Sequence, residues 1–513
     1  MVLSEHDRRL VETLAELAYC NPFNQQRLEL ERSGLGSAFD EADTHLWSRT
    51  QATTRHERSN VVQLNAHAER LVSLVTPLTT ASAWPSDPLA RHYEGLVAYV
   101  LYYRHFASLE LDELASSNAS QLSSHWREFH AQYRTFFATD ASATHDTSAA
   151  AHLFACFSQV RRAFRQIFDC ILGESSPAAA LRETVWQSIF THDMRRYRRT
   201  LYQSMRELPT LITGPSGTGK ELVARAIALS QYIPFDPVRE RFVGDTEHAF
   251  LPLNLSALSP TLIESELFGH SRGAFTGAVA ERVGWLEACP PHGGVFLDEI
   301  GELDPAIQVK LLRVVQQRTY NRLGDTDERI FAGKLLAATN RNLSQEIAEN
   351  HFRADLFYRL CADRIATPTL AEQLRDEPKT LELLVSFVAE RIAPGEAEGL
   401  AAEVLAWIEE HLPADYPWQG NIRELEQCVR NILVRRHYAP DQASPNGEPE
   451  WVQAAREGRL SSEQLLAAYT TWVYARLGSY EAAAEQLAVD RRTVKARVDP
   501  VLLKTFRAAH AVP

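Results

Sequence analysis

No apolar run in the chain approaches the roughly 18 residues that a membrane-spanning helix requires, so no membrane role is expected. Nothing resembles a secretory leader either, because Met1-Val-Leu-Ser-Glu-His-Asp-Arg-Arg9 is charged almost from its start. Cysteine is sparse. Cys20, Cys156, Cys170, Cys289, Cys361 and Cys428 are scattered, with no C-x-x-C pair. That argues against a disulfide framework or a zinc site and for a reducing, cytoplasmic setting. Lysine is scarce beside arginine, which we take as coding bias. A basic overall balance is missing too. The net charge is -13, so any contact with nucleic acid must be made by a local patch. What remains is ordinary for a globular chain: 513 residues, 45% hydrophobic and 23% charged. That length suits roughly two to four domains.

Residues 1–185 lack any period-2 strand series and read as helices. Leu10, Leu14, Leu17 and Ala18 fall on one face, as do Leu96, Val100, Tyr103 and Phe106. Thr79–Pro88 and Ala138–Ala149 are breaker-rich and read as loops. No receiver pattern is visible, with no acidic pocket on short strands. The histidines include His92, His105, His125 and His130, but no Glu-x-x-His pair of the kind a di-metal bundle needs. They read as surface and boundary residues. The cysteines here read as small buried hydrophobes rather than redox sensors. Arg195-Arg-Tyr-Arg-Arg199 is a basic cluster that reads as a solvated helix face. The input to this helical domain, a small ligand or a protein, is not specified.

From Pro209 the pattern becomes βα alternation, which implies a mainly parallel sheet. Thr210-Leu-Ile-Thr leads into Gly214-Pro215-Ser216-Gly217-Thr218-Gly219-Lys220, the G-x-x-x-x-G-K spacing of a phosphate-binding loop. The glycines let the backbone come close to phosphate oxygens. The N–H groups and the following helix N-terminus then face the anion. Lys220 places a point charge on the outer phosphates. The usual next residue is Ser or Thr for Mg²⁺, and here it is Glu221. Gly294-Val-Phe-Leu-Asp298-Glu299 is a buried-strand run ending in two acids at the end where such folds bind ligands. Asp298 can hold Mg²⁺, and Glu299 can polarise a water for attack on the γ-phosphate. Leu335-Leu-Ala-Ala-Thr339-Asn340 is a third apolar strand whose polar end can bond the γ-phosphate or that water. Arg353 and Arg359 lie six residues apart, off a single helical face, and suit arginines offered in trans to a neighbour's nucleotide. The plainer alternative is ion pairing with Asp355 or Asp363.

Between these strands stands Gly273-Ala274-Phe275-Thr276-Gly277-Ala278. It resembles the signature loop of the bacterial enhancer-binding proteins, the AAA+ ATPases that activate sigma-54 RNA polymerase. The resemblance covers about residues 205–436 and a short C-terminal module. Gly214–Glu221 resembles the family's Walker A, which commonly carries Glu after the Lys. Asp298 and Glu299 resemble its Walker B. Asn254 falls where the family has an asparagine that holds the Walker B glutamate. Thr339 and Asn340 resemble sensor I, and Arg353 and Arg359 the two arginine fingers. Tyr416-Pro-Trp-Gln-Gly-Asn-Ile-Arg423 resembles sensor II, with Gln419 in place of a common proline. Thr367-Pro-Thr-Leu-Ala-Glu-Gln-Leu-Arg375 departs from the family's Pro-Pro-Leu-Arg-Glu-Arg segment. In the family, Gly273–Ala278 forms a pore loop through which Phe275 and Thr276 would engage sigma-54.

Ala439–Pro449 is a linker by composition. Tyr480–Arg497 then reads as helix, turn, helix. Ala483, Ala484 and Leu487 pack the first helix, Val494 and Val498 the second, and Asp490 caps the second. Arg491, Arg492, Thr493, Lys495 and Arg497 make it basic and exposed, as a major-groove reader must be. This resembles the Fis-like helix-turn-helix that closes most enhancer-binding proteins, with Ala488 where a turn glycine is common.

The expectation is a multidomain chain. An α-helical N-terminal domain (1–185) precedes an α/β AAA+ P-loop NTPase core (186–365) with a helical lid (366–438). A linker (439–455) and an all-α helix-turn-helix domain (456–513) complete it. The resemblance implies ATP and Mg²⁺ as cofactors. It implies sigma-54 RNA polymerase holoenzyme, upstream enhancer DNA and a homo-oligomer, a hexamer, as partners. The alternatives are an AAA+ DNA-binding repressor, or a remodeller of another target. The intact Gly273–Ala278 loop, Glu299, Arg353 and Arg359 speak against the first, and that loop with the terminal helix-turn-helix against the second.

Overall fold

Helix α1 (Glu5–Leu17) forms where Leu10, Leu14 and Leu17 repeat at helical spacing, and all three are buried. Ser4 caps it, its Oγ accepting from the Asp7 N–H at 3.0 Å. Ala18 falls just past its end and is half-buried. The computed structural model describes residues 3–43, 58–80, 88–109, 119–137, 147–275, 277–440, 450–456, 458–500, 502, 503 and 506. They fall into two units, Met1–Arg436 and His437–Pro513.

In the first unit α1 is followed by α2 (Gln25–Leu35), α3 (Ser59–Thr80), α4 (Pro88–His105) and α5 (Ala119–Phe137). Then come α6 (Thr147–Cys170) and α7 (Ser176–Phe190). Of the two expected loops, residues 81–87 and 138–146 lie outside the described residues. Thr79, Thr80, Pro88 and 147–149 are helical. Gly95 lets α4 lie directly on α1, since an added Cβ would stand 2.6 Å from that of Ala15. His105 departs from the expected surface placement. It is buried in an aromatic cluster, its ring 5.4 Å from His125 and 5.6 Å from Phe129. Burial pulls its pKa down. Among the described residues no group of three or more His, Cys, Asp or Glu is placed to hold a metal. No helix there is long and apolar enough to cross a membrane.

After a short α8 (Met194–Arg196) the chain makes a π-helical turn, Tyr197–Leu201. The basic cluster here is only partly solvated. Arg195 donates to the Ala15 carbonyl at 2.9 Å and lies over the Tyr19 ring, and Arg198 pairs with Glu94.

The strands are β1 (Thr210–Thr213), β2 (Phe235–Asp236), β3 (Arg241–Phe242), β4 (Phe250–Asn254) and β5 (Gly294–Asp298). β6 (Thr319–Tyr320), β7 (Arg329–Ile330), β8 (Lys334–Thr339) and β9 (Asp363–Ala366) complete them. Five form one sheet in the order β4-β5-β8-β1-β9, with every pairing parallel. Both faces are covered, as parallel sheets require. Leu211, Val295, Leu297, Leu335 and Ala337 face one core with α10 (Pro260–Phe268), α12 (Pro305–Gln317) and α14 (Ala354–Leu360). The short α11 (Trp285–Ala288) and α13 (Leu343–Ala348) lie between these in the chain.

The opposite face carries Ile212, Phe296, Leu336, Ala338 and Ile365. It packs against α9 (Lys220–Ala228) and against Trp186 and Ile189 of α7. Residue 185, the expected end of the N-terminal domain, thus falls inside a helix that shares a core with the sheet. Ser188 of α7 also donates to the Asp363 carboxylate at 2.5 Å, and Thr210 donates to it at 2.8 Å. The β2–β3 ribbon forms a second tie. Phe235 lies 4.9 Å from Trp126 and 4.8 Å from Phe154, and Arg127 makes a two-pronged bridge to Glu240 at 2.9 and 2.8 Å.

The lid is α15 (Leu370–Asp376), α16 (Thr380–Ile392), α17 (Ala397–His411) and α18 (Asn421–Arg435). In the second unit residues 441–449 of the expected linker lie outside the described residues, and α19 (Glu450–Arg456) occupies its end. Helices α20 (Ser462–Leu477), α21 (Tyr480–Leu487) and α22 (Arg491–Arg497) close on Val473, Tyr474, Ala483 and Val494. Ala488 ends α21 in the left-handed region at φ 52, ψ 41. That conformation costs an L-residue roughly 1–2 kcal/mol and usually selects glycine. Ala488→Gly is therefore expected to stabilise this unit by about 0.5–1 kcal/mol net of glycine's entropy. Calorimetry of the whole chain reads this as a raised midpoint for that transition, and a lowered one would refute it.

Candidate active site

The ends of β1, β5 and β8 meet at one edge of the sheet, and the loops after them build the site. Gly214, Gly217 and Gly219 have φ of 152, 78 and 87. A side chain at Gly217 would strike the Gly420 carbonyl of the lid, so glycine is needed there for close approach. The Lys220 ammonium turns back on the loop and donates to the carbonyls of Gly214 at 3.0 Å and Pro215 at 3.1 Å. Burial lowers its pKa, against the opposing pull of Glu299 and Asp298. Glu221 is exposed on the first turn of α9. Thr218 Oγ1 lies 2.7 Å from Thr367 Oγ1. The loop is thus tied to the residue after β9, a link that no local motif reveals.

Asp298 ends β5, and its carboxylate accepts from the Glu299 N–H at 3.1 Å. Glu299 adopts φ 58, ψ 51. A non-glycine residue held there is strained, and such strain clusters at functional sites. Its carboxylate accepts from the Asn340 N–H at 3.2 Å. Asn254 sits beside Asp298 in the β4–β5 register. It does not take the glutamate contact that the resemblance implied. Its Oδ1 instead accepts from the N–H and hydroxyl of Ser256, at 3.0 and 2.8 Å. Thr339 is buried at the end of β8, where its carbonyl accepts from the Gly214 N–H at 3.3 Å. A cleft of about 360 Å³ opens beside Gly214, Pro215 and Asn340.

The lid closes over the loop through α18. Arg423 donates to Ser216 Oγ at 3.0 Å, and Ile422 N–H to the Gly217 carbonyl at 3.0 Å. Asn421, at φ 52, donates to the Ser216 carbonyl at 2.9 Å and accepts from the Leu370 N–H at 2.8 Å. Arg353 makes a two-pronged bridge to Asp355 at 3.0 and 2.7 Å, as its plainer reading had it. Arg359 lies exposed on α14.

The Gly273–Ala278 loop is pinned at its base. His270 bridges to Arg282 and Leu323, and Gly273 N–H donates to the Ala278 carbonyl at 2.9 Å. Gly273 and Gly277 have φ of 82 and 104, with nothing among the described residues within 4 Å of an added Cβ. Phe275 is half-buried rather than exposed, its ring 5.0 Å from His270 and edge-on. Ala274 packs on Gly324. Thr276 lies outside the described residues.

On α22, Arg491, Arg492, Lys495 and Arg497 are exposed and Thr493 is half-buried. Asp490 caps the helix, accepting from the Arg492 N–H at 2.7 Å, and Arg491 bridges to Glu481 at 2.7 Å.

Fold and site together define an AAA+ phosphate-loop domain between helical regions. Residues 189–366 match the sigma-54 interaction domain family. Over 298 residues it is 37% identical to the transcriptional regulatory protein ZraR of Klebsiella oxytoca, covering 56% of this chain and 62% of that one. Over 227 residues it is 42% identical to a Nif-specific regulatory protein of Herbaspirillum seropedicae, covering 44% and 38%. The chain thus spans less than two thirds of either relative. The crystal structure of NtrX from Brucella abortus covers 80% of this chain and 85% of its own at 23% identity, with a TM-score of 0.39, which is a loose overlap.

Proposed function

We propose that the chain is an ATP-driven activator of sigma-54 RNA polymerase that acts as a ring of identical subunits. The observation that carries this reading is the pairing, in one domain, of the Gly214–Lys220 loop and the Asp298–Glu299 strand end with the Gly273–Ala278 loop. The N–H groups of Gly217, Thr218, Gly219 and Lys220 would hold the outer phosphates. The Lys220 ammonium would exchange its carbonyl partners for phosphate oxygens. Asp298 suits a Mg²⁺ that takes few protein ligands and shares the phosphates. Glu299, steadied by the Asn340 N–H, would take the proton of the attacking water. Arg359 of each subunit would meet the neighbour's γ-phosphate, and Arg423 would couple the nucleotide to the lid. Thr339, below the phosphate loop, would carry the change from that end of the sheet.

Phe275 would leave the His270 ring and, with Thr276, engage sigma-54. The exposed α22 arginines and Lys495 would hold upstream DNA, some on phosphates and some on base edges. Thr276→Ala tests the loop directly. Phosphate release is expected to continue while open-complex formation on a sigma-54 promoter is lost. Normal transcription by that variant would remove the assigned role.

A further inference from the structure

We infer that the N-terminal helices hold an effector site for a small aromatic carboxylic acid, set against the helix that backs the ATPase sheet. A cavity of about 150 Å³ lies among α1, α4, α6, α7 and the π-helical turn. An apolar space of roughly this size holds a benzene-sized molecule. Its walls include Leu17, Tyr19, Tyr99, Phe157, Trp186 and Phe190. Flat aromatic walls suit a flat apolar guest.

The polar lining is of one sign. Arg27, Arg161 and Arg198 line the cavity, and among the described residues no Asp or Glu does, Glu31 and Glu94 pairing with Arg27 and Arg198 from outside it. The Arg27 side chain is fixed by Glu31 at 2.8 Å and by the Tyr103 hydroxyl at 3.0 Å. Arg161 is fixed by the Leu109 carbonyl at 2.7 Å. Fixed guanidiniums are preorganised for a carboxylate. Two donors are left over. By distance and angle, neither the Tyr99 hydroxyl, on a residue 2% exposed and beside Tyr103, nor Arg198 Nε has a hydrogen-bond partner among the described residues. A buried donor left unmet costs about 1–3 kcal/mol, and an acceptor in the cavity would recover it. Cys20 and Cys156 also line the space. Burial pushes their thiols up to about 11 and about 12, which leaves them unreactive rather than redox-active.

The position gives the site something to act on. Trp186 and Phe190 belong to α7, which shares its core with α9, the helix after the phosphate loop. Arg198 stands on the π-helical turn, a form frequent at functional sites. A guest would therefore press on the packing behind the phosphate loop. Binding itself does not depend on the proposed activity; only its consequence for hydrolysis does.

Equilibrium dialysis of the full chain with radiolabelled benzoate, phenylacetate and indole-3-acetate tests the site. At least one acid is expected to bind saturably, one per chain, with a Kd below about 1 mM. Val160→Phe, which fills the cavity, should abolish that binding. Tyr99→Phe removes only the unmet hydroxyl, keeps the packing, and should weaken binding about tenfold. Absence of saturable binding by all three acids would overturn the site, as would full affinity in both variants. Binding without any effect on phosphate release would leave the site standing and count against its link to the ATPase.

Discussion

Glu299→Gln is expected to bind ATP and fail to hydrolyse it. The side chain sits at φ 58, ψ 51, so the backbone aims it where no ordinary strand end would. Glutamine keeps the size and an oxygen for the Asn340 N–H, which Glu299 now meets at 3.2 Å. It cannot take a proton from water. Loss of a positioned base costs typically about 10²–10⁴-fold in rate. The groups at Gly217–Lys220 proposed to hold the phosphates are untouched, so affinity for a fluorescent ATP analogue should hold while phosphate release collapses. If more than about a tenth of the rate remained, the loss would fall short of a general base's share and Glu299 would have another role.

Arg359→Ala is expected to lose more. An arginine supplied to another subunit's nucleotide is worth about 10³–10⁵ in turnover. Arg353 is occupied by Asp355 within its own chain, whereas Arg359 is exposed on α14. The sharper result comes from mixing. Glu299→Gln and Arg359→Ala subunits are each nearly inactive, yet a mixed ring sets an intact Arg359 against an intact Glu299 at some interfaces. Phosphate release should reappear in the mixture. If it stayed at the level of the separate variants, Arg359 would not be acting in trans.

Parts of the site were legible because chemistry fixes their spacing. A backbone that must wrap phosphate leaves Gly214, Gly217, Gly219 and Lys220 in a short window. The acids at Asp298 and Glu299 follow an apolar strand wherever such a sheet exposes its end. Other parts depend on what folds beside them. Thr367 reaches Thr218 only because β9 lies next to β1. Asn421 serves two loops far apart in sequence, through a positive φ that an Asn-Ile-Arg string does not announce. Phe275, which the resemblance makes a contact for sigma-54, lies against the His270 ring, a contact the loop motif does not announce. What packs around residue 185 was hidden for a similar reason. An amphipathic helix shows that it has an apolar face, and not which surface will cover it. Trp186 and Ile189 are covered by the sheet.

That helix bears on how the chain can be taken apart. Its break point is not at the composition shift. A truncation starting near residue 186 would strip most of α7 and all of α6 from the core they share with Ile212, Phe296 and Ile365, and leave Trp186 and Ser188 on a single remaining turn of that helix. The N-terminal helices are therefore not a cassette to be cut away or grafted between relatives at that junction. An exchange that respects the packing would carry α6 and α7 with the ATPase and replace only what lies before them.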